Sequence, residues 1–425
     1  RLRDDITTNG ADGIDVTATT INLDELTMTA GTNAAALIRL NGNVTLSTGE
    51  AELYAVQSIT VTGTVSGGED LTVGPPTPAT PDISFNGNVG TAPLIPLGAI
   101  TITAANDLTF SGTVNALSLA QDNGSGITTF AGDVTTTGAD GIAINATNIA
   151  LDGLTMKATA ADIALEGIVA LSGGDVALEA GNTITVTGTV DGGGPFSATS
   201  TNNANIVFTS LIGGTTPLAS LGIEGGNITL NGIGTAGTAG VTDTISVTSA
   251  GNVVLNAADY HSTGAQTWTA TTGGVRYLAN ADGTWSAGGT GIDCPNTDVY
   301  LDHDGGTLTL ASDLSCRNLY FYRGSLDCST RTITTTANLV LFGIDYNPDD
   351  ADWNVVNDTR HAYFGATALA YYPNGGGYNP DGTFDTNPNA SFTATGLVGT
   401  TLTVDGNFYV NGTDMNAGAF TLVIP

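Results

Sequence analysis

The pattern nearest to a known chemistry is Asp345-x-Asn347-x-Asp349-Asp350. Oxygen donors at alternate positions can converge on one hard cation, so this run resembles the opening of a calcium loop. It departs at two places: Asp350 stands where the loop needs glycine, and Val356 where it needs a bidentate glutamate. Calcium held by Asp345, Asn347, Asp349 and Asp350 is therefore one expectation, set against a solvated acidic turn. Asn379-x-Asp381-Gly382 and Asp302-His303-Asp304 are looser oxygen clusters of the same type.

No catalytic residue is expected. The adjacent pair Asp349-Asp350 lacks the His-Gly and Arg-x-Lys elements that accompany paired carboxylates in β-helical polysaccharide hydrolases, and no motif surrounds His261, His303 or His361. The sequence thus predicts a protein that is not an enzyme. Of the three cysteines, Cys294, Cys316 and Cys328, the first two are 22 residues apart and each follows an inward aliphatic by two positions. That spacing stacks them on neighbouring coils, as a disulfide or as two buried thiols. Neither a Cys-x-x-Cys pair nor a histidine partner accompanies them, which excludes a zinc site.

Residues 345–389 carry aromatics without strand periodicity: Trp353, Tyr363, Tyr371, Tyr372 and Tyr378 stand among Asn, Pro, Asp and Gly. An aromatic insertion on a rigid scaffold is a natural place for recognition, and the alternative is a small satellite core. The segment at Phe420, Leu422 and Ile424 reads as a strand able to pair with a neighbouring chain.

The elements that must position these residues are short strands. Apolar-x-apolar starts fall at Ile14, Ile21, Leu26, Leu37, Val44, Ala51 and Ile59, a step of about seven residues with one face buried. Three such strands make a coil of roughly 21 residues, so the chain is expected to be all-β, a parallel β-helix or β-solenoid. Gly, Asn and Asp at the corners are expected to supply positive backbone angles. A block at 5–65 returns at 133–190, offset by 128 residues at first and 125 later. It is read as about six coils per copy. Loops at 74–81 and 191–195 are expected on one side of the stack. The solenoid is assigned to 1–262 and an aromatic-rich β region to 263–425.

Charge narrows the partners. Nine Lys and Arg stand against 40 Asp and Glu, a formal charge of −31, with Lys157 the only lysine. Nucleic acid would be repelled, and no apolar run is long enough for direct insertion into a membrane. An acidic surface suits an extracellular, saline setting. The first residues, Arg1-Leu2-Arg3, include no initiator methionine, which points to a processed part of a longer secreted protein.

The runs from Gly98 to Phe110, from Gly225 to Gly232 and from Gly264 to Trp268 are similar to the repeat region of filamentous-haemagglutinin-like bacterial surface proteins. That resemblance implies a right-handed parallel β-helix, export across the outer membrane, and adhesion or cell-surface structure. The expected role is a self-assembling extracellular subunit of a filament, sheath or surface layer, with copies of itself as partner. The alternative is an adhesin segment that binds surface glycans.

Overall fold

A computed structural model describes residues 4–31, 33–76, 78–90, 96–279, 281–327 and 331–341, with short strands at 391–392, 394–395, 401–404, 414–415 and 421–423. The protein is a parallel β-solenoid of about 14 turns with about 22 residues per turn. None of the described residues is helical. Two compact units divide between Ser210 and Leu211, whereas the change to an aromatic interior begins at Tyr260.

In the first unit, three faces stack in register. One runs Leu26, Ala51, Leu71, Ile100, Leu119, Ile142, Ile163, Ile184 and Ile206. A second runs Ile14, Ile38, Ile59, Ile83, Leu108, Thr128, Ile149, Val169 and Val190. The third runs Ile21, Val44, Val65, Val89, Val114, Val134, Met156, Leu178 and Ala198. Inward positions alternate with outward ones along most strands, because successive side chains in an extended backbone point to opposite sides, and the alternation breaks where one strand turns from one face to the next. Phe85, Phe110 and Phe130 form a file inside the second face, with ring centroids 5.0 and 5.4 Å apart and planes within 8° of parallel.

The register corrects the reading of the duplication. Starting at Ile14, the second face is revisited five times, at Ile38, Ile59, Ile83, Leu108 and Thr128, before the chain reaches Val134 on the third face and Ile142 on the first. The step from one copy to the next therefore spans five coils and two further faces, close to the six coils expected but one face short of a whole number. Ile142, the duplicate of Ile14, lies on a different face, and so do Ile149 against Ile21 and Met156 against Met28. The second copy is turned by one face. The two loops likewise leave different corners: 75–81 joins the first face to the second, and 193–195 joins the second to the third.

Corners are built from two devices. Glycines stack where the second face turns into the third: a Cβ on Gly63 would lie 2.5 Å from the Gly42 carbonyl oxygen, and one on Gly87 2.6 Å from that of Gly63. No side chain fits such backbone contact. Asp and Asn do a different job from the one expected, since among the described residues of these types only Asn203 and Asn296 adopt positive φ. Several reach to the next coil and accept a backbone N–H there: Asp5 from Thr27 (3.0 Å), Asn43 from Thr64 (3.1 Å), Asp107 from Ile127 (2.9 Å), Asp133 from Thr155 (2.8 Å) and Asp162 from Thr183 (2.8 Å). These bonds are exposed to solvent, so each adds only a modest increment to the stability of its corner.

The second unit repeats the scheme with larger residues. Leu221, Ile245, Gln266, Ile292, Leu314 and Ile333 form one register, and Ile228, Val253, Val275, Val299 and Leu319 another. Ile212, Ile233, Tyr260, Trp285 and Leu310 form a third. Tyr260, Trp268, Tyr277 and Trp285 are fully buried and meet in mostly edge-to-face contacts.

Candidate functional site

The calcium ligands proposed from sequence, Asp345, Asn347, Asp349 and Asp350, lie outside the described residues. So do Trp353, Tyr363, Tyr371, Tyr372, Tyr378, Phe420, Ile424 and Cys328. Leu422 lies in the strand Thr421–Val423, which pairs in parallel with Thr401–Val404. Among the described residues, no group of three or more His, Cys, Asp or Glu could hold a metal ion.

Cys294 and Cys316 are in-register neighbours on adjacent coils, as the spacing predicted, and both are buried free thiols rather than a disulfide. Paired positions of parallel strands set the two side chains abreast, both aimed into the core. Burial pushes each thiol well above its ordinary range, which leaves little thiolate for reaction.

Gln266 organises the buried aromatic group. Its Oε1 accepts the indole N–H of Trp268 (3.1 Å) and of Trp285 (2.7 Å), while its Nε2 donates to Ser262 Oγ (3.1 Å) and to the Ser286 carbonyl (2.7 Å). Tyr260 donates its hydroxyl to the Leu230 carbonyl (2.8 Å), and Tyr277 donates to that of Ala258 (2.7 Å). All four aromatic side chains lie inside the coil. The polar ends find their partners inside, so they are core.

Directly above this core, on the outward side, three residues meet that no sequence motif joins. His261 and Ser286 are register partners on successive coils, and Asp259 precedes His261 by two positions on the same outward side. Ser286 Oγ lies 2.6 Å from His261 Nδ1, and Asp259 Oδ1 lies 3.3 Å from His261 Nε2. A carboxylate only accepts, so Nε2 carries the imidazole proton and Nδ1 accepts from the serine hydroxyl. Asp259 is itself fixed by the Thr284 N–H at 3.1 Å. The imidazole is almost wholly covered, with 8% of its side-chain surface exposed, while Ser286 is half-buried. The signal in the sequence was the coil period alone, and the offset of 25 residues between His261 and Ser286 exceeds the mean period by enough to hide it.

A second outward set lies on the neighbouring register. Arg276 sits 5.1 Å above the ring of Tyr300, whose other face stacks on Tyr320 at 4.8 Å. Asp298 accepts both arms of the Arg317 guanidinium (2.7 and 2.8 Å) and the Asn318 amide (2.7 Å). Burial, with Asp298 nearby, raises the Tyr300 hydroxyl above its ordinary range, so it remains a proton donor.

Compared with known proteins, the chain matches no family model, no curated protein and no solved structure. What is established is the class of protein, a parallel β-solenoid.

Proposed function

We propose that the chain is a structural subunit of an extracellular filament, sheath or surface layer, in which copies join end to end or by donating a strand. The observation that carries this reading is the parallel pairing of coil on coil within each unit, which resumes register after a bulge where a strand turns from one face to the next. The upper edge of one such coil is complementary to the lower edge of another, so an uncovered coil is a template for a second copy. The acidic corners support the same role. Their carboxylates accept backbone N–H groups of the next coil, a scaffold task rather than a catalytic one. The reading agrees with the resemblance to filamentous-haemagglutinin-like proteins and with a cell-surface location, where salt screens a charge of −31. Calcium at residues 345–350 would add a bridge between acidic copies.

Negative-stain microscopy of the purified chain, with and without calcium, tests it. Filaments or end-to-end strings are expected, and monodisperse monomers under both conditions would sink the proposal.

A second reading, an adhesin segment for surface glycans, is favoured by the stacked outward Tyr300 and Tyr320 beside the half-exposed Arg317 guanidinium, which the buried Asp298 holds in place. A glycan array comparing wild type with Tyr320→Ala and with Tyr371→Ala/Tyr372→Ala separates the two. Lost glycan binding with intact assembly favours adhesion.

A further inference from the structure

We propose that Ser286 is a nucleophile toward small, activated acyl esters, with His261 as its general base and Asp259 as the positioning residue. The proposal stands on the geometry of these three side chains and is independent of how copies assemble.

The hydroxyl of Ser286 is not needed to hold its strand. Its carbonyl accepts from Gln266 Nε2 (2.7 Å) and from the Ser262 N–H (3.1 Å), and the residue is paired in register with His261. The hydroxyl is left to the imidazole, at 2.6 Å, within the distance a base needs to remove its proton. Asp259 meets the opposite ring nitrogen. It fixes the tautomer with the lone pair on Nδ1 and stabilises the imidazolium that forms when the proton arrives. Relative to the familiar serine, histidine and aspartate arrangement the two ring nitrogens are exchanged, and the proton inventory is the same. Rigidity comes from beneath: Trp285, adjacent to the serine, is clamped through its indole N–H to Gln266. On the following coil the residue beside Ser286 is Ala311, so on that side only a methyl group flanks the hydroxyl.

The step balances with water as the only co-reactant. Ser286 Oγ attacks the ester carbonyl carbon, and its proton moves to His261 Nδ1. The tetrahedral intermediate collapses, the bond from the acyl carbon to the alkoxy oxygen breaks, and the imidazolium returns the proton to the leaving alcohol. Water then attacks the acyl-serine with the same imidazole as base, releasing the carboxylic acid and restoring the hydroxyl.

The experiment is reaction of the folded chain with a fluorophosphonate, read by intact mass and peptide mapping, beside hydrolysis of p-nitrophenyl acetate. One adduct on Ser286, with fluoride displaced, is expected on the native protein and not on the urea-denatured chain. Folded Ser286→Ala should give no adduct and no ester hydrolysis above buffer. His261→Gly should lose roughly 10²-fold in labelling rate and recover part of it with added imidazole, which a merely structural histidine would not do. Asp259→Asn should slow labelling at an unchanged site. A native wild type that stays unlabelled, an adduct that persists in Ser286→Ala, or equal labelling of native and denatured chains would each overturn the assignment. The Ser286→Ala comparison decides even if the histidine variant does not fold.

Discussion

Where the first unit fills its coils with Ile, Leu and Val around a file of three phenylalanines, the second closes its coils on Tyr260, Trp268, Tyr277 and Trp285 held to one glutamine. The polar work is also placed differently. In the first unit it lies at the corners, where Asp and Asn reach one coil onward to a backbone N–H. The second keeps corners of this kind, with Asn227, Asn252 and Asp259 accepting the N–H groups of Asn252, Gly274 and Thr284, and adds an interior network in which buried hydroxyl, indole and amide groups satisfy one another. A corner acceptor joins one coil to the next, so its loss is local. An interior network ties several coils through a single side chain, and its loss should be felt by all of them.

Alkali should separate the two most strongly. Burial raises the hydroxyls of Tyr260 and Tyr277 and the thiols of Cys294 and Cys316, all in the second unit, above their ordinary values of 10.0 and 9.0. A folded value above the unfolded one means that stability is complete below the unfolded value and falls as pH rises past it. Each group then removes about 1.4 kcal/mol per pH unit until the folded form also ionises. Circular dichroism across an alkaline titration should show unfolding that Tyr260→Phe/Tyr277→Phe postpones to higher pH, although the double variant loses at neutrality the bonds of the two hydroxyls to Leu230, Ala257 and Ala258. Coincident profiles for the two proteins would mean that the tyrosines do not carry the alkaline limb.

Next in size is Trp285→Ala, expected to cost about 3–5 kcal/mol through the cavity it leaves. The cavity opens beside Trp268 and Tyr277 and leaves Gln266 with one indole instead of two. Urea unfolding should show a lower midpoint, and a reagent specific for thiols should reach Cys294 and Cys316 faster. A midpoint within about 1 kcal/mol of wild type would mean that the network relaxes around the loss, contrary to the tight packing of such interiors.

Much of this contrast was legible in the sequence, and its limits are physical. Alternation located the strands that begin at Ile14, Leu26, Ala51 and Ile59, because period two is fixed by the backbone whatever follows. Coil length is set by the corners instead, and it varies: Ile102 faces Gln121 only 19 residues on, while Val73 faces Ile102 after 29. An error of a few residues per coil does not change the fold class, but it changes which outward residues touch. Hence the solenoid could be read, and the meeting of His261 with Ser286 could not. The same arithmetic hid the turn of the second copy by one face. The interior network was not legible for another reason: nothing in the spacing of Trp268 and Trp285 marks Gln266 as the acceptor of both indole N–H groups.

A smaller effect comes from comparing the two buried glutamines. Gln266 uses both ends of its amide, so Gln266→Leu should strand two indoles and cost about 3 kcal/mol at one to three per lost partner. Gln121, in the first unit, accepts from Thr128 Oγ1 at 2.7 Å, while its Nε2 has no partner among the described residues. Replacing both ends of that pair, Gln121→Leu/Thr128→Val, removes an already unsatisfied donor and should be neutral or mildly stabilising. Urea midpoints measured side by side check this, and equal losses would erase the distinction between a network that organises its unit and a polar pair that does not.

The smallest expected effect lies at a single corner of the first unit. Asp24 is 8% exposed and accepts the backbone N–H groups of Ser47 and Thr48 on the following coil. Burial alone pushes its carboxyl up, yet the bonds from Ser47, Asn22 and Thr48 together outweigh burial and hold it below the ordinary value of 3.8. A folded value below the unfolded one gives stability that is present above the ordinary carboxylate range and lost as pH falls through the folded value. The first unit should therefore weaken in acid, the opposite limb from the tyrosines and thiols of the second. Asp24→Asn keeps an oxygen acceptor without the charge, so it should cost about 1 kcal/mol at neutral pH and nothing once the aspartate would be protonated. Stability measured at neutral and at acid pH for the two proteins should converge at the acid end. A constant gap would assign the loss to packing instead of charge, and the corner carboxylates would then differ little from the corner asparagines that share their task.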